Sequence, residues 1–220
     1  MIYTLDFVTL RYTDGHKIEV LLLKRDKEPF KNQYALPGGW VFEDTDETLD
    51  EAFLRIADQK VRYPMSHFEQ VETVGSSKRD PRGWSTTTVY LTFMEDPYAD
   101  IHDDMMWASV YAFQGQSLPF DHTDLLDLAV NRLVSKSQYS TLPIFLTSDF
   151  FTLSFMERVY ETLLGGPVNT SAFRKRIEKT SFLVPTEDFE RVSGRRPARY
   201  FHRVQMAEPE FYERLMSAVG

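Results

Sequence analysis

The chain has 220 residues, 42% hydrophobic and 14% aromatic, enough to build a buried core and too apolar for intrinsic disorder. It contains no cysteine, which excludes disulfides, thiolate zinc sites and cysteine nucleophiles. Its net charge of −8 is uneven: from Thr147 onward 11 Lys and Arg face 10 Asp and Glu, a net of +1, which leaves −9 on residues 1–146.

The segment Met1–Leu10 mixes polar and apolar residues and lacks the basic start and apolar run of a signal peptide. No stretch approaches the roughly 18 apolar residues of a membrane span. The expectation is a cytoplasmic protein without a membrane partner. Tyr3–Arg11 and Ile18–Leu23 flank the turn residues Thr13-Asp14-Gly15 and predict a β-hairpin. Thr48 with Glu51 fits a capping box, and Leu49, Ala52, Phe53 and Ile56 recur at helical spacing, so a helix is expected over Thr48–Lys60. Gln70–Val74, Thr86–Met94 and Trp107–Phe113 read as strands, and His122–Lys136 as a second helix. His67, His102 and His122 show no metal-ligand spacing and are given no catalytic role.

Beyond Ser137 the pattern changes. Tyr139–Asp149 has no clear period and reads as a connector. Thr152 can cap a helix that stops at Gly165-Gly166-Pro167. Asn169-Thr170-Ser171 then supplies cap residues for a short helix, Ala172–Lys179, with Phe173 and Ile177 inward. Phe182–Val184 and Arg199–Val204 read as strands around a charged tip, Glu187–Pro197. Helix, turn, helix and basic hairpin is the order of a winged helix-turn-helix. Within Arg174–Arg203 there are 9 basic and 4 acidic residues, the local positive balance expected of a segment that meets nucleic acid. Thr170, Ser171, Arg174 and Lys175 lie on the helix face away from Phe173, available to bases and phosphates. Arg195, Arg196, Arg199 and Tyr200 belong to the wing tip and its return strand.

Leu36-Pro37-Gly38-Gly39-Trp40-Val41, followed by acids and a helix, resembles the start of a Nudix box. Glu47 and Arg55 keep that family's seven-residue spacing, while seven residues rather than five separate Gly39 from Glu47. In the family, glutamates three and four residues apart on one helix face hold Mg²⁺ against a pyrophosphate. Here those positions fall on Ile56, Gln59 and Lys60, and Asp58 points about 200° away from Ile56 around the helix. The expectation is a catalytically dead box without a metal site. Arg79-Asp80-Pro81-Arg82-Gly83 resembles the loop of Nudix enzymes that cleave ADP-ribose, with arginines able to offer paired donors to phosphates. Trp84 can stack on a base or pack against that loop, and Trp40 can be a stacking platform or core. Lys24-Arg25, at the end of the second expected strand, stands where Nudix proteins often place a phosphate-facing arginine. The candidate ligand-binding set is therefore Arg25, Trp40, Arg79, Asp80, Arg82 and Trp84.

Taken together, Leu36–Val41, Lys78–Trp84, Phe120–His122, Phe173–Arg176 and Gly194–Tyr200 resemble the Nudix-related transcriptional regulators of NAD metabolism, the NrtR family. The resemblance implies an α+β protein. A Nudix α/β/α sandwich with a mixed sheet would occupy residues 1–140, and a winged helix-turn-helix residues 147–220. It further implies a homodimeric repressor of NAD synthesis or salvage genes that binds palindromic operator DNA, has no cofactor, and is released by ADP-ribose or a related nucleotide. Two alternatives stay open: a Nudix ADP-ribose pyrophosphatase with rearranged metal ligands, and a regulator of the same family that answers to a sugar.

Overall fold

The computed structural model describes residues 2–13, 15–113, 117–191, 193–194, 197–204 and 208–212. Strand β1 (Ile2–Thr13) is the centre of a seven-stranded mixed sheet. Leu5 and Phe7 pack on one side of it, Val8, Leu10 and Tyr12 in the cluster on the other, so the strand reads as a nearly continuous apolar run. The expected hairpin forms, with β2 (Lys17–Lys24) antiparallel to β1 and Leu10 opposite Val20. Two short strands, β3 (Tyr34–Ala35) and β4 (Gly38–Trp40), pair with β2 and β1. Strands β5 (Met65–Ser76), β6 (Ser85–Met94) and β7 (Met105–Ser109) complete the sheet in the order β3-β2-β1-β6-β5, with β7 on β2. Only β1 and β6 run parallel among these pairs. The expected strand Trp107–Phe113 is shorter, since Val110–Phe113 turns into a 3₁₀ helix.

Helix α1 (Leu49–Lys60) begins as the capping box predicts: Thr48 Oγ1 accepts from the Glu51 amide at 3.1 Å. The Glu51 carboxylate reaches back to the amide of Glu47, one residue before the cap, at 2.9 Å. Its buried side, Ala52, Phe53, Ile56 and Ala57, covers one face of the sheet. Helix α2 (His122–Ser137) covers the other with Leu125, Leu126, Ala129 and Leu133. The result is the expected α/β/α layering.

The connector is not loose. Leu142–Leu146 forms a 3₁₀ turn with all five side chains buried, packed on β1 and β6 below and on the following helix above. A 3₁₀ turn carrying a proline has neither the 3.6 nor the 2.0 period, so no periodicity announces it. Helix α3 (Leu153–Leu164) is capped by Thr152, whose hydroxyl accepts from the Phe155 amide at 3.2 Å, and stops at Gly165 with φ 69°. Helix α4 (Thr170–Ile177) starts two residues earlier than the cap run suggests, with Asn169 accepting from the Ala172 amide at 2.9 Å. Strands β9 (Leu183–Glu190) and β10 (Ala198–Arg203) form the wing, and β8 (Phe150–Thr152) pairs with β10 as a third strand. The tip is shorter than Glu187–Pro197, because β9 runs to Glu190.

One hydrophobic cluster runs from Val8 in β1 through Phe145 to Phe173 and Leu183, so the C-terminal unit is seated on the sheet through packed apolar side chains. Among the described residues no helix is long and apolar enough to cross a membrane.

Phe145 is fully buried at that junction. Phe145→Ala should therefore cost about 3–5 kcal/mol, and the wild-type chain should melt in a single calorimetric transition. Two separated transitions in the wild type would show that the halves are not one packed unit.

Candidate functional site

The site is built around an acid in an apolar strand. Asp6 interrupts the hydrophobic run of β1, and its side chain is 9% exposed. Arg79, from the loop between β5 and β6, reaches it through Nη2 at 3.2 Å. The same guanidinium grips Asp121, at the start of α2, with Nε at 2.9 Å and Nη2 at 3.1 Å, and donates to Ser85 Oγ at 3.2 Å. Three segments far apart in sequence are thus tied to one buried cation. Beside them His122 is buried; its Nδ1 accepts from the Leu36 amide at 3.0 Å, so its proton sits on Nε2, 3.6 Å from Asp6. Burial lowers the pKa of this imidazole, outweighing the attraction of Asp6 and Asp121, and keeps it neutral. Gly38 belongs here for a steric reason: a Cβ on it would lie 2.4 Å from Asp6 Oδ1 and 2.6 Å from the Leu5 carbonyl oxygen.

Above this floor opens a cleft of about 380 Å³, within the range of small-molecule sites. Of the expected ligand residues, Arg25, Trp40, Arg79, Asp80 and Arg82 all line it. Asp80 is buried and takes a paired contact from Arg82 at 2.6 and 3.2 Å. Burial opposes the charge on Asp80, but the Arg82 guanidinium and amide outweigh it and hold the carboxyl below its usual range. The Arg82 guanidinium lies 5.5 Å from the Trp40 ring centre and 5.8 Å from that of Phe120, while Arg25 lies 4.8 Å from Phe120. Burial and the neighbouring Arg82 both lower the pKa of Arg25.

Trp84 is the exception. It does not line the cleft; its ring lies over Gly75, where a Cβ would meet it at 3.1 Å. The reason is strand alternation. Ser85 opens β6 with its hydroxyl toward Arg79, so the residue before it faces the other side. The cleft also takes in Asp6, Phe42, Arg55, Phe120 and His122, none of them singled out as ligand residues from the sequence. The lone acid within an apolar strand was the available signal for Asp6.

Ile56, Gln59 and Lys60, where the box expects glutamates, all border the cleft. Arg55 is held outside that row by Asp46, at 2.6 and 2.7 Å.

In the C-terminal unit, Phe173 meets Tyr160 edge-on at 5.1 Å and Ile177 is fully buried, which fixes the outer face of α4. Thr170, Ser171, Arg174 and Lys175 are exposed there as expected. The Thr170 hydroxyl donates to Glu157, and Arg174 donates to Ser154 Oγ at 3.3 Å, both on α3. Arg199 is exposed on β10, 5.3 Å over the Phe189 ring, and Tyr200 is half-buried beside it. Arg195 and Arg196 lie outside the described residues.

A layered mixed-sheet domain with a cationic cleft, carrying a helix-helix-wing unit, is the build of a ligand-sensing transcription regulator. Residues 143–202 match the family model of the NrtR DNA-binding winged helix domain. Over 192 residues the chain is 33% identical to the ADPR responsive transcriptional repressor NtrR of Acinetobacter baylyi, covering 86% of this chain and 76% of that protein. The crystal structure of Shewanella oneidensis NrtR complexed with a 27mer DNA superposes with a TM-score of 0.82 at 35% identity, over 92% of this chain and 93% of that one. A second crystal structure of Shewanella oneidensis NrtR gives 0.83 at 35% identity, over 93% of this chain and 94% of that one. The chain belongs to the NrtR family.

Arg79→Ala should leave Asp6 buried without its cation and cost about 3–5 kcal/mol in chemical denaturation. Removing Arg62 from its pair with Asp104, side chains 34% and 45% exposed, should cost less than about 1 kcal/mol. Equal losses in the two variants would show that Arg79 is no keystone.

Proposed function

We propose that the chain is an ADP-ribose-responsive transcriptional repressor. Residues 1–140 hold the nucleotide without cleaving it, and residues 147–220 bind operator DNA. The observation that carries this reading is the place of Arg79: it lines the cleft and at the same time holds Asp121 at the first turn of α2. The name of the Acinetobacter relative supports the effector, and the DNA complex of the Shewanella relative supports the role of the winged helix.

The coupling runs along α2. Sixteen residues make a rod of about 24 Å. Its far end leads to Ser140, whose carbonyl accepts from Tyr160 on α3 at 3.0 Å, and to Gln138, whose carbonyl accepts from Arg176 on α4 at 3.4 Å. A diphosphate arriving in the cleft competes with Asp121 and Asp80 for the arginines. Loosening the Asp121 contact lets α2 move, and α3 and α4 move with it. Regulation needs a coupling free energy of only about 1–3 kcal/mol. Operator contacts fall to Thr170, Ser171, Arg174 and Lys175 on α4 and to Arg195, Arg196, Arg199 and Tyr200 on the wing. A homodimer in the cytoplasm would set two such heads on a palindromic site near genes of NAD synthesis or salvage.

Binding to duplex DNA from upstream of the gene and its neighbours tests the reading. ADP-ribose should weaken that binding by about 5–150-fold, and Lys175→Ala should lower the salt slope of log affinity by about one. In a parallel incubation, Mg²⁺ and ADP-ribose should give no AMP. DNA binding indifferent to ADP-ribose, or steady release of AMP at about 1 s⁻¹ or faster, would overturn the proposal.

A further inference from the structure

The Nudix fold implies a divalent cation at the box, and the residues here do not fit one. The three positions facing the cleft offer an alkyl group, a neutral amide and an ammonium: Ile56, Gln59 and Lys60. Among the described residues no three His, Asp or Glu side chains are grouped so as to hold a metal ion. Two of the acids bordering the cleft are already taken, Asp6 by Arg79 and Asp80 by Arg82, and Asp26 and Glu28 are exposed on its outer loop. A hard cation that wants several anionic oxygens finds none in a set.

Lys60 has the opposite character. It is half-buried on the cleft wall, and its ammonium has no hydrogen bond and no ion pair among the described residues. Its position in the last turn of α1 suits the helix dipole, which accounts for a cation at that end but not for one bordering a ligand cleft. A half-buried lysine on a cleft wall without a counter-ion is a place where an anion can be bound.

We propose that Lys60 replaces the divalent cation of the box. Its ammonium neutralises the diphosphate of the bound nucleotide, and effector binding is independent of metal. The inference rests on the cleft being the nucleotide site. It assigns to Lys60 a contact with the phosphates and none with the nucleoside. Gln59 can add a neutral donor beside it, and Ile56 closes the wall against Gly39, where a Cβ would meet it at 3.0 Å.

Titration calorimetry on the full chain separates the possibilities, using ADP-ribose and adenosine, each in EDTA and in Mg²⁺, with wild type, Lys60→Gln and Lys60→Arg. The wild type should bind ADP-ribose equally well in EDTA and in Mg²⁺. Lys60→Gln should weaken ADP-ribose about ten-fold or more and leave adenosine unchanged, which also reports an intact fold, while Lys60→Arg should retain most of the affinity. A wild type that needs Mg²⁺, or a Lys60→Gln variant that binds ADP-ribose as tightly as wild type, overturns the inference while the nucleotide site stands. A wild type that binds no ADP-ribose in either buffer overturns the functional reading itself.

Discussion

The structure turns on one buried guanidinium. Arg79 sits 7% exposed among Asp6 of β1, Ser85 of β6 and Asp121 of α2, and satisfies all three. Burying a charge is costly unless its donors are paired, and here each of the three guanidinium nitrogens finds a partner. The consequence is geometric. Because Asp121 is spent on Arg79, the first turn of α2 has no side-chain cap, and the helix start is positioned by an ion pair instead. A contact made of opposite charges can be contested by an anion, as a contact made of methyl groups cannot. The cleft reaches that contact through Arg79, which lines it.

The rest of the chain gives the contest a direction. The 3₁₀ turn Leu142–Leu146 is packed between the sheet and α3, so the DNA-binding unit does not swing on a flexible tether. Buried Arg203 adds to this, paired with Asp149 and lying 4.5 Å from the Phe145 ring. The segment at 208–212 closes over the junction, with the Tyr212 amide on the Tyr139 carbonyl at 2.7 Å and the Glu210 amide on Thr141 Oγ1 at 2.8 Å. With this packing, a shift of α2 would be passed to the C-terminal unit as a rigid displacement rather than absorbed in a linker.

Local chemistry in the sequence announced local structure well. The Thr48–Glu51 cap, the hairpin that pairs Thr13 with Lys17, the Thr152 cap and the Gly165 stop each rest on residues close in sequence, and each formed. Strands β3 and β4, two and three residues long, exist only through pairing with β2 and β1 and carry no pattern of their own. The cleft was partly legible: Arg25, Trp40, Arg79, Asp80 and Arg82 line it, because the loop that bears three of them resembles a known phosphate loop. What stayed hidden was non-local. Arg79 meets Asp121 across 42 positions and Asp6 across 73, and no spacing rule reaches that far. Trp84 went the other way for the most local of reasons, the two-residue period of a strand.

If the cleft and the winged helix are two ends of one switch, thermodynamic linkage makes the effect reciprocal. The direct measurement is the affinity of ADP-ribose for the free chain and for the chain saturated with operator DNA. DNA is expected to weaken ADP-ribose by the same factor by which ADP-ribose weakens DNA. Equal affinity in the two states would mean that the nucleotide site and the DNA site do not communicate, and the account would fail.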